Sequence, residues 1–159
     1  GWERNLNDDM IRALAEQGGV VQVNFGSMFI SGTYQRACEV LFARLEQKGV
    51  TLGSPEARAI RETWRKEFPL PQVTVSDVVD HIDHIVELAG IDHVGFGSDF
   101  DGVDGHLPEG LEDVSKYPAL IGELLRRGYS KSDIQQICAK NFLRVWRTVD
   151  DFGGRTGNG

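Results

Sequence analysis

An α/β fold with parallel strands is predicted for this 159-residue chain by three observations. Two short apolar runs bounded by glycines read as strands, amphipathic helical patterns lie between and around them, and each run is followed by helix. That last feature is the crossover arrangement parallel strands require. A hydrophobic content of 40% with 26% charged residues belongs to a chain that buries a core, not to a disordered one.

Residues 5–17 open on Asn and Asp and carry Met10, Ile11, Leu14 and Ala15 at helical spacing before Gly18-Gly19. This predicts a short amphipathic helix, with Asp8 and Asp9 at the positive end of its dipole. Residues 19–26, a β-branched run between glycines, read as a buried strand. Helices are expected over 34–48, from Ala37, Val40, Leu41 and Leu45, and over 54–68, from Ala57, Ile60 and Trp64. Phe68-Pro-Leu-Pro-Gln72 ends the pattern, because proline lacks a donor and holds its predecessor extended. Thr74 or Ser76 caps the next helix, whose stripe of Val75, Val78, Val79, Ile82, Ile85, Val86 and Ala89 stops at Gly90. Residues 93–100 read as a second strand entering a polar loop, and helices over 117–127 and 130–149 follow, with Trp146 in the core. The glycine-rich residues 151–159 are expected to form a flexible tail. Two strands leave their edges and faces uncovered, so the chain is expected to assemble with something or to be part of a larger protein.

Seventeen basic against 24 acidic residues give a formal charge of −7 with no Lys/Arg run, which disfavours nucleic acid and anionic bilayers as partners. No apolar run approaches the roughly 20 residues that span a membrane, so no membrane segment is expected. The opening residues lack the regions of a secretory signal. From the chain alone the expected compartment is the cytoplasm. Cys38 and Cys138 stand far apart without C-x-x-C spacing and read as reduced core thiols.

The most pointed chemistry lies in Gly95-Phe-Gly-Ser-Asp-Phe-Asp-Gly-Val103, which sets Asp99 and Asp101 at the C-terminal end of the second strand. Parallel α/β folds build their sites at that end. Residues two apart on an extended segment share a face, so both carboxylates could meet one metal or substrate. The plainer reading is a turn capped by Asx hydrogen bonds, with Gly102 supplying a positive φ. His81 and His84, three apart beside Asp80 and Asp83, have the spacing of a metal pair but lie off the apolar stripe, so a solvated face is expected. His93 reads as structural and His106 as a residue of a site rim. Arg4 and Asn5, just before a helix N-terminus, could clamp a carboxylate.

Taken alone, Asp-Phe-Asp-Gly-Val after a strand resembles the nucleophile motif of haloacid-dehalogenase-like phosphohydrolases, in which the first Asp attacks phosphorus and the second shuttles the proton. More of the chain resembles the renal (membrane) dipeptidase family of metallopeptidases. The segments that carry this likeness are Arg4-Asn5-Leu6-Asn7-Asp8-Asp9, Val21-Gln-Val-Asn-Phe25, Asp80-His-Ile-Asp-His-Ile85, Val94–Val103, Glu109-Gly-Leu-Glu-Asp-Val-Ser-Lys-Tyr-Pro118 and Asn141-Phe-Leu-Arg-Val145. They run in order from Arg4 to about residue 149.

The resemblance implies a (β/α)8 TIM-like barrel with two zinc ions at its C-terminal mouth, hydrolysing dipeptides through a hydroxide that bridges the metals. This chain would be the C-terminal portion of that barrel over residues 1–150, holding its last two strands and lacking the N-terminal half. Residues 34–72 would be a helical insertion that forms a lid or an interface over the mouth. Carried over by motif, Asp99 would transfer a proton to the leaving amine, Arg4 with Asn5 would bind the substrate's terminal carboxylate, and Asp101 and Gly102 would shape the loop. The family's zinc ligands, an early His-x-Asp, a bridging Glu and two later histidines, belong to sequence upstream of Arg4, so the resemblance assigns no metal ligand here. Trp2-Glu3 stands where relatives often carry His-Pro. The 159 residues alone are therefore expected neither to hold the zinc pair nor to turn over dipeptides, and a homodimer is the assembly the resemblance suggests. Phosphohydrolase, dipeptidase and non-catalytic interaction module remain distinct expectations.

Overall fold

The computed structural model describes residues 4–156, the last three by their helical backbone only, so Trp2-Glu3 and residues 157–159 lie outside the described residues. Helix α1 (Asp8–Glu16) begins where Asn7 Oδ1 accepts the Met10 N–H at 3.0 Å. Strand β1 (Val21–Asn24) leads into a single helical turn, α2 (Ser27–Ile30), then α3 (Gly32–Gln47) and α4 (Pro55–Glu67). Ser31 and Ser54 cap the last two, and Pro55 occupies the first turn of α4, where its missing N–H is harmless. Helix α5 (Val75–Ala89) returns the chain to strand β2 (Val94–Ser98) through a 3-10 turn. Helices α6 (Tyr117–Arg126), α7 (Lys131–Gln135) and α8 (Asn141–Thr156) close the described chain.

The two strands pair in parallel, Val21 with Val94, Gln22 with Gly95 and Val23 with Phe96, after which the register slips and Asn24 meets Ser98. Gly97 is the residue passed over. A Cβ there would lie 2.7 Å from the Gln22 carbonyl oxygen, so the bulge needs glycine. Its consequence is functional: the last residue of β1 comes level with the start of the loop after β2.

The main core forms where Val78, Val79, Ile82 and Ile85 of α5 pack against Val23, Phe25, Val94, Leu120, Leu124, Ile134 and Ile137. Each such side chain contributes roughly 1.5–3 kcal/mol when fully buried. The segment 34–72 builds its own small core from Leu41, Leu45, Ala57 and Trp64, and Tyr34, Cys38 and Val73 join it to the rest. Arg127 ties α6 to α5. Its guanidinium reaches Asp80 (2.6 Å), Asp83 (2.5 Å), Glu123 (2.8 Å) and the Ser76 carbonyl (2.8 Å).

Four expectations are corrected. The helix expected over 130–149 is divided by a π turn at Gln136–Lys140. There buried Asn141 donates to the Ile91 and Val94 carbonyls and pins the start of α8 to β2. Helix α8 continues to Thr156, so residues 151–156 are helical and not an aperiodic tail; glycine weakens a helix without stopping one that is already propagating. Trp146 is not core. It is 61% exposed, on an apolar stripe with Phe142 and Val149, which are exposed as well. Cys138 is likewise exposed, whereas Cys38 is buried. No helix is long and apolar enough to cross a membrane among the described residues.

Candidate active site

Asp99 stands at the C-terminal end of β2, and the segment around it is held on every side. Ser98 and Asp99 both adopt left-handed backbone, φ 56° and 70°, a conformation that costs about 1–3 kcal/mol per residue unless the surroundings fix it. They are fixed here: the Phe25 N–H donates to the Ser98 carbonyl (2.9 Å) and the Ser98 hydroxyl hydrogen-bonds the Tyr117 hydroxyl. Phe25 meets Phe96, Phe100 and Tyr117 edge to face at 5.8–6.1 Å. The Gly102 N–H closes the turn on the Asp99 carbonyl at 3.2 Å.

Asn24 orients the carboxylate. Its Oδ1 accepts the Gly26 N–H (2.7 Å), which leaves its Nδ2 to donate to Asp99 Oδ2 (2.7 Å). A Cβ on Gly102 would fall 2.1 Å from Asp99 Oδ1, so that oxygen occupies space only glycine leaves open. Gly102 is therefore required for close approach and not, as the turn reading has it, for a positive φ. Asp101 is exposed on the turn after the strand has ended, so the shared face expected for the two carboxylates does not form.

Arg4 and Asn5 are brought to the same end of the strands. The Arg4 guanidinium lies 4.9 Å from the Phe29 ring centroid, and Asn5 Nδ2 donates to the Phe29 carbonyl at 2.9 Å. Asn5 thus anchors the segment that presents Arg4. Arg4 lines two open cavities. One, of about 630 Å³, runs along β1 with Asn5, Asn24, His81 and His84. The other, of about 250 Å³, lies between Phe29, Phe42, Arg61, Gly102 and His106.

The histidines have defined partners. His81 Nε2 lies 2.9 Å from the Ile30 carbonyl, His84 Nε2 2.9 Å from Asp8, and His93 Nδ1 2.8 Å from the Gly19 carbonyl. No group of three His, Cys, Asp or Glu side chains is placed to hold a metal ion among the described residues. His106 is no rim residue: it is 3% exposed, beneath the smaller cavity. Its Nδ1 lies 2.8 Å from the Tyr34 hydroxyl and 3.4 Å from Arg65 Nη2. Arginine only donates, so Nδ1 accepts and the ring hydrogen sits on Nε2. Burial, and then the charges of Arg65 and Arg61, lower its pKa to about 4. Cys38 Sγ approaches the same ring at 3.9 Å, and burial raises that thiol to about 11. Both shifts oppose a thiolate–imidazolium pair, so this Cys and His form no nucleophilic dyad.

Asn24, Arg61 and Tyr34 escape the sequence reading. Asn24 alone left a usable signal, a polar residue closing one strand in line with the Asp that closes the other.

The family profile described as membrane dipeptidase, peptidase family M19, matches residues 2–158. A Schizosaccharomyces pombe protein named an uncharacterized dipeptidase is 37% identical over 152 residues, 94% of this chain and 28% of its own length. The chain thus spans under a third of that relative. The crystal structure of the probable dipeptidase PvdM from Pseudomonas aeruginosa superposes with a TM-score of 0.69 at 29% identity, over 91% of this chain and 40% of that one. A metallopeptidase from Rhodobacter sphaeroides, solved with a phosphinate mimic of the dipeptide L-Ala-D-Ala, gives a TM-score of 0.59 at 27% identity, over 87% of this chain and 30% of its own.

Proposed function

The chain belongs to the membrane dipeptidase family of metallopeptidases, and from that membership we propose that it forms the C-terminal part of a (β/α)8 barrel in a protein that hydrolyses dipeptides. The observation that carries this reading is the Asn24–Asp99 pair at the mouth of two parallel strands, beside cavities that Arg4 lines. The exposed Phe142, Trp146 and Val149 on α8 and the two-stranded sheet of the described residues support a larger body, because each leaves surface that a complete barrel buries. The described residues do not fit a zinc pair, so the donors to two zinc ions would lie outside them.

The roles proposed for this chain's own residues are those the resemblance implies, and their placement supports them. Arg4 offers a planar fork of N–H groups to the substrate's terminal carboxylate. Asp99, held by Asn24 through Oδ2, keeps Oδ1 for proton transfer. It takes a proton from the attacking water and gives it to the amine nitrogen as the C–N bond breaks, yielding two amino acids. The likeness of Asp-Phe-Asp-Gly to a phosphohydrolase motif gives way, because the family match covers residues 2–158 and Asp101 is turned out on the exposed loop.

Replacing Arg4 by Ala in the complete protein is expected to raise KM for a dipeptide roughly tenfold or more with kcat little changed, the loss of one charge-assisted contact made equally in ground and transition states. Steady-state kinetics on a dipeptide and on its C-terminal amide check this. The amide should be the poorer substrate for the wild type only. An unchanged KM removes Arg4 from carboxylate binding.

A further inference from the structure

The smaller cavity holds more polar chemistry than binding a terminal carboxylate requires. Two buried N–H groups at its lining residues, Arg61 Nε and His106 Nε2, have no acceptor among the described residues. Arg61 is 8% exposed, comes from α4, and commits Nη1 to Asp104 at 2.6 Å. Among the described residues that line the cavity, the charged side chains are Arg4, Arg61 and Asp104. Arg58 and Arg65, about one helical turn to either side of Arg61, add their charges to Asp104 and His106. The remaining wall is largely apolar, with Met28, Phe29, Phe42 and Val103. The result is a largely apolar sleeve into which α4 sets a buried guanidinium whose Nε has no acceptor among the described residues. Its volume of about 250 Å³ falls below the roughly 300 Å³ at which pockets for whole small ligands begin, and suits a side chain.

We propose that this cavity receives the side chain of the dipeptide's C-terminal residue, and that Arg61 makes the protein select dipeptides ending in aspartate or glutamate. The inference rests on the dipeptidase reading. In that reading Asp99 meets the amine of the C-terminal residue and Arg4 its carboxylate. The cavity lies between these two points, bounded by Arg4 and by Gly102, which abuts Asp99. A residue held at both ends therefore has its side chain beside Arg61. The helical segment 34–72 becomes the part that sets specificity, since it supplies Phe42, Leu52 and Arg61 to the wall.

The test is kcat/KM of the complete, metal-replete protein on dipeptides that share an N-terminal alanine and end in Glu, Gln or Ala, each in both C-terminal configurations. Glu and Gln have the same shape, so their ratio isolates the charge. The Glu substrate is expected to exceed the Gln substrate by at least about tenfold, and Arg61→Gln to bring that ratio to within about twofold of one. Arg61→Lys, which keeps the charge and serves if the glutamine variant does not fold, should retain part of the preference. Equal rates on Glu and Gln in the wild type, or an undiminished ratio in Arg61→Gln, would overturn the inference while leaving the dipeptidase reading intact. Failure to cleave any dipeptide would overturn both.

Discussion

In the complete protein, Asp99→Asn is expected to lower kcat by about 10²- to 10⁴-fold, with KM within a few-fold of wild type. The substitution is nearly isosteric, and the Asn24 Nδ2 that donates to Asp99 Oδ2 at 2.7 Å finds an amide oxygen in its place. What is lost is the ability to accept a proton and return it. An interaction made only as charge develops shows in kcat and kcat/KM together, whereas loss of binding alone would show in KM. Steady-state kinetics with metal content measured on the same samples separate the cases. An Asp99→Asn protein with full metal and undiminished kcat removes Asp99 from proton transfer.

Acid is expected to destabilise the fold through His106. Its pKa is lowered from 6.5 to about 4 by burial and by Arg65 and Arg61. Between these values the unfolded chain binds a proton that the folded chain refuses. The contribution is therefore complete above pH 6.5 and is lost as pH falls through about 4. At 1.36 kcal/mol per unit this amounts to about 3 kcal/mol. Urea unfolding of the wild type and of His106→Gln at pH 7, 5.5 and 4 measures it, because carboxylates common to both proteins cancel in the difference. The wild type should lose its advantage over the variant as pH falls. A difference that does not change with pH would place the protonation of His106 elsewhere.

Local signals in the sequence located most elements to within a few residues. The apolar stripe of α5 needs only its own spacing to be read, and Asn7, Ser54 and Thr74 mark helix starts because capping is a contact between near neighbours. Helix α2 escaped because a single turn carries no period. Trp146 misled because apolar spacing on a helix says that a face is to be covered, not by what. In the candidate site, Asp99 stood out in the sequence as a motif residue after a strand and Arg4 as one before a helix. Their supporting residues were not. Asn24 meets Asp99 across 75 positions and Arg61 meets Asp104 across 43, and such pairings exist only once the crossover has folded and the bulge at Gly97 has set the register. His106 illustrates the same limit, since one side chain reads as a rim residue in sequence and as a buried neutral acceptor between Tyr34 and Arg65 in the fold.

The most direct measurement is release of free amino acids from a dipeptide panel by the complete protein, assayed as purified, after chelation and after return of zinc. Saturable cleavage that chelator abolishes and zinc restores is the expected result. A folded protein with its metal in place that releases no amino acid from any dipeptide would contradict it, and would leave this chain as an interaction module built on the same fold.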